Sequence, residues 1–424
     1  MIKISKRLND IIFVLFGLFI VTNQFAIYTT FRFISYFFFI LMFSLICISY
    51  FYDIKKIYKK FINFSNIIFF LISFFLIFFY FQNENNYSLK ISLYFIIILL
   101  ISNLVYIKKN LTLIFHIILL IAVLLLIIGF FGWFYGGEEG AWGKQYIYFG
   151  YRYLPGTKNQ DCQIFLLGYI ISLFFIFFKK NNKIYLILNS LFSAALFLSY
   201  SRGYWLIYLV FFLFTLLMNI FFRYIETKKF FTIYLLNFIF IIAIIFALNT
   251  LLKFSYPSTQ LTLQSQFFSK ITSVFSIFNI GMSSIDINHL NNNSLSHLEA
   301  TSIASWQEKY NQLNSLLEIE VFKNLFRNPS HVQYFESGAL HILINYPEIF
   351  LLYTIYFIKE LLFIFKNKGW HKNTFFFYIM FLTCFICLNI IYNLTVDSVT
   401  YLYFLIIVIF KKILLDKSIS RSSL

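Results

Sequence analysis

Charge is what this chain has least of. Only 12% of its 424 residues are charged, while 60% are apolar. That excludes an ordinary soluble protein, because a fold of this length cannot hide so much apolar surface, whereas a bilayer can. Acid is the scarcer sign, with 17 Asp and Glu against 34 Lys and Arg. The chain has 4 cysteines, too few and too badly placed for a disulfide framework: Cys47, Cys384 and Cys387 lie in apolar runs and Cys162 starts another. Cys384-x-x-Cys387 has the spacing of a metal or redox pair, but it sits among Phe, Ile and Leu with no second pair, and reads as packing. A P-loop, an H-E-x-x-H sequence and metal-ligand spacing are all missing. Glu138-Glu139, flanked by glycines, is too little for a metal site. We therefore expect no metal and no cofactor.

What the chain does have is long apolar runs. About 20 apolar residues cross the hydrocarbon core as a helix, and by that measure we count about twelve spans. They fall at 11–28, 33–52, 62–81, 88–106, 111–134, 162–178, 184–200, 204–222, 230–250, 339–364, 374–394 and 398–415. No small-residue cleavage site follows the first run, so we expect an uncleaved span there and not a signal peptide.

The net charge of +17 invites a nucleic-acid reading, but its distribution excludes one. With the N-terminus taken as cytoplasmic, every second connection is basic: Lys3/Lys6/Arg7, Lys55 to Lys60, Lys108/Lys109, Lys179/Lys180/Lys183, Arg223/Lys228/Lys229, Lys366/Lys368/Lys372 and Lys411/Lys412/Lys417/Arg421. This is the positive-inside pattern of a multi-pass membrane protein with both termini in the cytoplasm. Clusters so close to the spans meet anionic lipid headgroups. The expected fold is all-α, a polytopic bundle with one large loop on the outer side. Residues 1–250 hold the spans up to 230–250, residues 251–338 form the loop with short helices near 261–278 and 299–326, and residues 339–424 hold the rest. No internal repeat relates the halves, which leans against a transporter.

Arg202 stands out. It lies in Ser201-Arg202-Gly203 between two apolar runs, and a permanent charge with so little polar cover near lipid is a functional suspect. Arg152, in Tyr151-Arg152-Tyr153-Leu154-Pro155-Gly156-Thr157-Lys158-Asn159, precedes the next span, with Thr157 and Asn159 as short polar arms after a turn. Arg327 lies late in the large loop. An arginine fork suits pyrophosphate because it donates two parallel hydrogen bonds and stays charged. Interfacial snorkelling is the ordinary alternative.

The acid–base candidates lie in His331-Val332-Gln333-Tyr334-Phe335-Glu336-Ser337-Gly338-Ala339-Leu340-His341, where the loop re-enters the membrane. Glu336 or His331 could take a proton from a sugar hydroxyl. His341, one turn into the span, could bind substrate or bond a neighbouring helix. Glu348, after Pro347, is a hydrogen-bond candidate at a kink. Tyr200, Trp205, Trp133, Trp142 and Tyr146 could stack on sugar rings, though an aromatic belt explains them equally well. His116, in mid-span, reads as a helix–helix contact.

Together these features resemble the family of O-antigen polymerases and O-antigen ligases of the bacterial inner membrane. The resemblance rests on Arg152, Gly156, Thr157 and Asn159 before one span, Ser201-Arg202-Gly203 between two others, and then the loop of 251–338 with Trp306. Two features depart from the pattern. No arginine lies among residues 302–305 before Trp306, and Glu336-Ser337 stands where ligases carry a His-Asn pair. The resemblance implies a GT-C-like architecture and a metal-independent glycosyltransferase acting on undecaprenyl-pyrophosphate-linked glycans. Joined to the reading of the residues above, it leaves Glu336, His331 and Arg202 as the catalytic candidates. Arg152, Arg202, Thr157, Asn159, Arg327 and His341 are then the candidates for holding the pyrophosphate or glycan. Membrane lipid and a chain-length regulator are the implied partners, with no nucleic acid. The missing His-Asn pair favours polymerase over ligase, and a lipid-linked oligosaccharide flippase is the alternative of a different class.

Overall fold

The computed structural model describes residues 2–24, 29–61, 64–83, 86–104, 107–135, 158–178, 183–198, 202–222, 227–255, 338–366, 373–391 and 398–415, not every side chain among them. Among these residues the regular structure is α-helix alone, with no strand. The helices are α1 (Ile2–Gln24), α2 (Thr29–Phe61), α3 (Phe64–Asn83), α4 (Asn86–Asn103), α5 (Ile107–Tyr135), α6 (Lys158–Phe178), α7 (Lys183–Leu198), α8 (Arg202–Phe222), α9 (Thr227–Ser255), α10 (Gly338–Asn345), α11 (Pro347–Lys366), α12 (Asn373–Ile391) and α13 (Ser398–Leu415). Windows in α2, α3 and α8 (Phe33–Phe51, Phe64–Phe81 and Gly203–Phe221) are long and apolar enough to cross a membrane, and shorter apolar stretches occupy several others. The fold is thus compatible with a membrane protein.

Two helices form the centre. Every residue from Cys162 to Ile176 on α6 is buried, as is every residue from Val399 to Phe410 on α13. A helix apolar on all sides can be enclosed without stranding a polar face. The periphery is different. Phe33, Phe37 and Ile40 on α2, Leu206, Leu209 and Leu213 on α8, and Phe231, Leu235 and Phe238 on α9 are exposed. Apolar surface on that scale needs a partner, and acyl chains would be a compatible one.

Close helix approach uses glycine where it matters. A Cβ on Gly17 of α1 would sit 2.6 Å from Ile117 Cγ2 of α5. On Gly168 of α6 it would meet the Phe192 ring at 2.9 Å and Ala122 Cβ at 3.1 Å. Small residues at such contacts let backbones approach where no hydrophobic driving force separates helix from lipid.

Hydrogen bonds between helices join like ends. At the basic ends Asn9 Nδ2 donates to the Leu104 carbonyl (2.8 Å), Ser49 Oγ donates to Asn9 Oδ1 (3.1 Å) and Lys412 donates to the Ser102 carbonyl. Toward the opposite ends Gln163 Nε2 donates to Thr400 Oγ1 (3.2 Å), Ser88 Oγ pairs with Tyr346 OH (3.2 Å) and Asn23 bonds Tyr94. This antiparallel order agrees with the alternation of basic and non-basic connections along the chain.

The run expected as one span at 339–364 is divided. Tyr346 is outside either helix, and α10 ends where α11 begins at Pro347. Proline has no N–H for the Leu343 carbonyl, so one helical bond is lost. The flanking bonds survive: Tyr346 N donates to the Ile342 carbonyl (2.8 Å) and Phe350 N to the Tyr346 carbonyl (3.0 Å).

Candidate functional site

Arg202 is the first residue of α8, and only residues 199–201 separate it from Leu198 at the end of α7, so the junction between the two helices is short in sequence. Trp205 fastens it. Its indole Nε1–H donates to the Phe197 carbonyl at 3.1 Å and its ring stacks on Phe197 at 5.9 Å. That carbonyl is in the last turn of α7, where intrahelical donors have run out. The aromatic contacts continue inward, Phe197 to Tyr208 at 5.2 Å and Tyr208 to Tyr169 of the central α6 at 5.2 Å. Trp205 is therefore committed to the protein, which weighs against sugar stacking. By helical register the Arg202 position heads the exposed stripe Leu206, Leu209, Leu213 and Leu217. The Arg202 side chain itself lies outside the described residues.

Asn159 is the second residue of α6, so the Arg152–Asn159 sequence leads into the central helix and not a peripheral one. One turn further, Gln163 is fully buried, bonds Thr400, and accepts at its backbone carbonyl from Tyr403 OH (3.4 Å). The Asn159 side chain, Arg152 and Thr157 lie outside the described residues.

His341 sits in α10, partly buried. Asn345 Nδ2 lies 3.0 Å from the His341 carbonyl and 3.2 Å from its Nδ1. An Nδ1 that accepts leaves the proton on Nε2, so the bond selects a tautomer. The ring faces Tyr346 at 6.4 Å, and Tyr346 reaches Ser88 of α4. Glu348 follows in the first turn of α11 and is buried. His341, Asn345, Tyr346 and Glu348 thus gather polar groups where the helix is broken. His331, Glu336 and Arg327, with the loop helices expected at 261–278 and 299–326, lie outside the described residues.

His116 of α5 makes the helix–helix contact expected of it, against Phe175 of α6, through its ring and not through a hydrogen bond between helices. It is exposed, its Nδ1 is 2.6 Å from the Thr112 carbonyl of its own helix, and its ring packs 4.8 Å from Phe175. Cys384 is buried and Cys387 partly so, both free thiols, in keeping with a packing role. Among the described residues no three His, Cys, Asp or Glu side chains cluster as a metal site.

Sequence reasoning missed a charged centre at the basic end. Glu360 of α11, wholly buried, accepts from Lys411 of α13 and Tyr378 of α12. Its signal was available, since a carboxylate within an apolar run requires a partner. Nothing in the sequence says which lysine answers it. No family model, curated protein or solved structure matches the chain.

Proposed function

We propose that the protein is an O-antigen polymerase of the bacterial inner membrane, joining undecaprenyl-pyrophosphate-linked repeat units at the periplasmic face. The observation that carries the reading is the placement of Arg202. It is the first residue of α8, in helical register with the exposed Leu206 and Leu209, next to the Trp205–Phe197 bond that joins α8 to the end of α7. A lipid-borne diphosphate arriving sideways from the bilayer would meet such a group first. The order of Arg152, Arg202 and the large loop, and the polar break at His341 to Glu348, support the same reading.

In the proposed reaction an acceptor sugar hydroxyl attacks the anomeric carbon of the donor glycan. The bond from that carbon to pyrophosphate breaks, and undecaprenyl pyrophosphate leaves with the electron pair. Glu336, or else His331, takes the hydroxyl proton. Arg202 and Arg152 stabilise the charge developing on the leaving group, the largest requirement in a transfer with no covalent help. Thr157, Asn159, Arg327 and His341 hold glycan or phosphate oxygens. The reaction uses no metal, and a chain-length regulator is the proposed partner.

Gene deletion tests the assignment. Loss of a polymerase leaves lipid A–core carrying a single repeat; loss of a ligase leaves core with none. Undiminished ladders after deletion would contradict both enzyme readings.

A further inference from the structure

Lys359 of α11 is a partly buried cation among apolar neighbours. Its Nζ lies 3.2 Å from the centroid of the Phe64 ring at the start of α3. Its sequence neighbour Glu360 points elsewhere, bonded to Lys411 and Tyr378, and no carboxylate pairs with Lys359 among the described residues. The other nearby charges do not compensate it. Lys411 is bound to Glu360 and adds repulsion, and Lys412 donates to the carbonyl of Ser102 where α4 ends. Among the described residues the charges that act on Lys359 are Lys411, which repels it, and Glu360, which Lys411 already engages.

The surface around Lys359 is apolar and outward-facing. Ile355 and Leu362, one turn either side of it, are exposed, as are Ile67, Phe70 and Leu71 on α3. The two helices meet at Phe69 and Tyr356, whose rings are 5.3 Å apart. A cation resting on an aromatic face at the basic end of this apolar seam is the complement of one amphiphile, with an anionic phosphate above and acyl chains below.

We propose that Lys359 and Phe64 form the headgroup end of a binding site for one anionic phospholipid in the seam between α3 and α11. The Lys359 ammonium contacts the phosphate, and the exposed apolar residues of both helices contact the chains. The site requires only that the chain lie in a bilayer and does not depend on the polymerase reading.

The test is a titration of delipidated, full-length protein in neutral detergent, with bound lipid counted by native mass spectrometry. The probes are phosphatidylglycerol and phosphatidylcholine, and the proteins are wild type, K359Q, K359M, K359R and K183Q. One basic residue is worth about 1 kcal/mol toward an anionic lipid, so K359Q and K359M should bind the first phosphatidylglycerol about five-fold more weakly. K359R should keep most of the affinity, because the charge and the ring contact survive. Lys183 is exposed on α7, away from the seam, so K183Q should match wild type. Phosphatidylcholine should bind all of them equally and weakly. Equal phosphatidylglycerol binding by K359Q and wild type would overturn the proposal, as would an equal loss in K183Q. Displacement of the lipid by millimolar inorganic phosphate would instead mark a site for a soluble anion and would also overturn it.

Discussion

The side-chain amide of Asn237 on α9 donates to the side-chain carbonyl of Asn189 on α7 at 2.7 Å. Asn189 in turn donates to Ser172 Oγ and to the Tyr169 carbonyl on α6, each at 2.9 Å, while Ser190 donates to Asn237 Oδ1 at 2.6 Å. Both asparagines are fully buried, so each bond replaces one that water cannot supply. This network ties the junction-bearing α7 to the centre of the bundle.

Asn189→Ala should therefore destabilise the protein by about 1–2 kcal/mol, the range expected when buried partners lose their bonds within an apolar helical bundle. Ser44 also makes a side-chain bond, to the Ile40 carbonyl, but it is exposed and the bond stays within its own helix. Ser44→Ala should be close to neutral. Unfolding in mixed micelles followed by circular dichroism compares the two.

Gly168→Val should be severely destabilising. Even the alanine Cβ meets the Phe192 ring at 2.9 Å, and overpacking of this kind costs about 1–3 kcal/mol. Phe192→Leu in the same chain should recover part of the loss, because the obstruction is a side chain and not backbone. Melting temperatures of Gly168→Val, Phe192→Leu and the double variant give the coupling directly.

The buried charge centre should be far more sensitive to losing one partner than both. Lys411→Met strands the Glu360 carboxylate and should cost about 3–5 kcal/mol. Glu360→Gln with Lys411→Met should cost clearly less than the sum of the single changes. Denaturation of the three variants in the same detergent checks it.

Trp205→Phe keeps an aromatic ring against Phe197 and removes the N–H that holds its carbonyl. If the junction places Arg202 for its task, glycan transfer should fall by about ten-fold, the loss of roughly 1.4 kcal/mol of transition-state stabilisation. Thermal stability should change little by comparison. Unaltered transfer in this variant would remove Trp205 from the account.

Much of the fold was legible in the sequence. The apolar runs coincide with helices among the described residues, because a long apolar run must satisfy its own backbone as it is buried. Pro347 announced a break because it carries no N–H, although the run around it reads as a single span. The α7–α8 junction was legible because only Ser201-Arg202-Gly203 interrupts the apolar sequence. The centre was not legible. α6 and α8 are both apolar on every side, and composition cannot separate a helix enclosed by protein from one facing lipid, since both surroundings are apolar. Glu360 was overlooked for a related reason: its partners lie on helices whose facing sides depend on packing, not spacing. Of the site, the sequence marked Arg202 and His341, while the capture of Trp205 by Phe197 and of His341 by Asn345 required coordinates.

The most direct measurement is chain extension by purified protein in detergent supplied with one defined lipid-linked repeat. Wild type should produce longer lipid-linked glycans and release undecaprenyl pyrophosphate in equal number to the bonds formed. Well-folded R202K should be impaired by about 100-fold or more, since lysine offers a point charge in place of the planar fork. Absence of extension by active-form wild type, or near-normal ladders from R202K, would contradict the account.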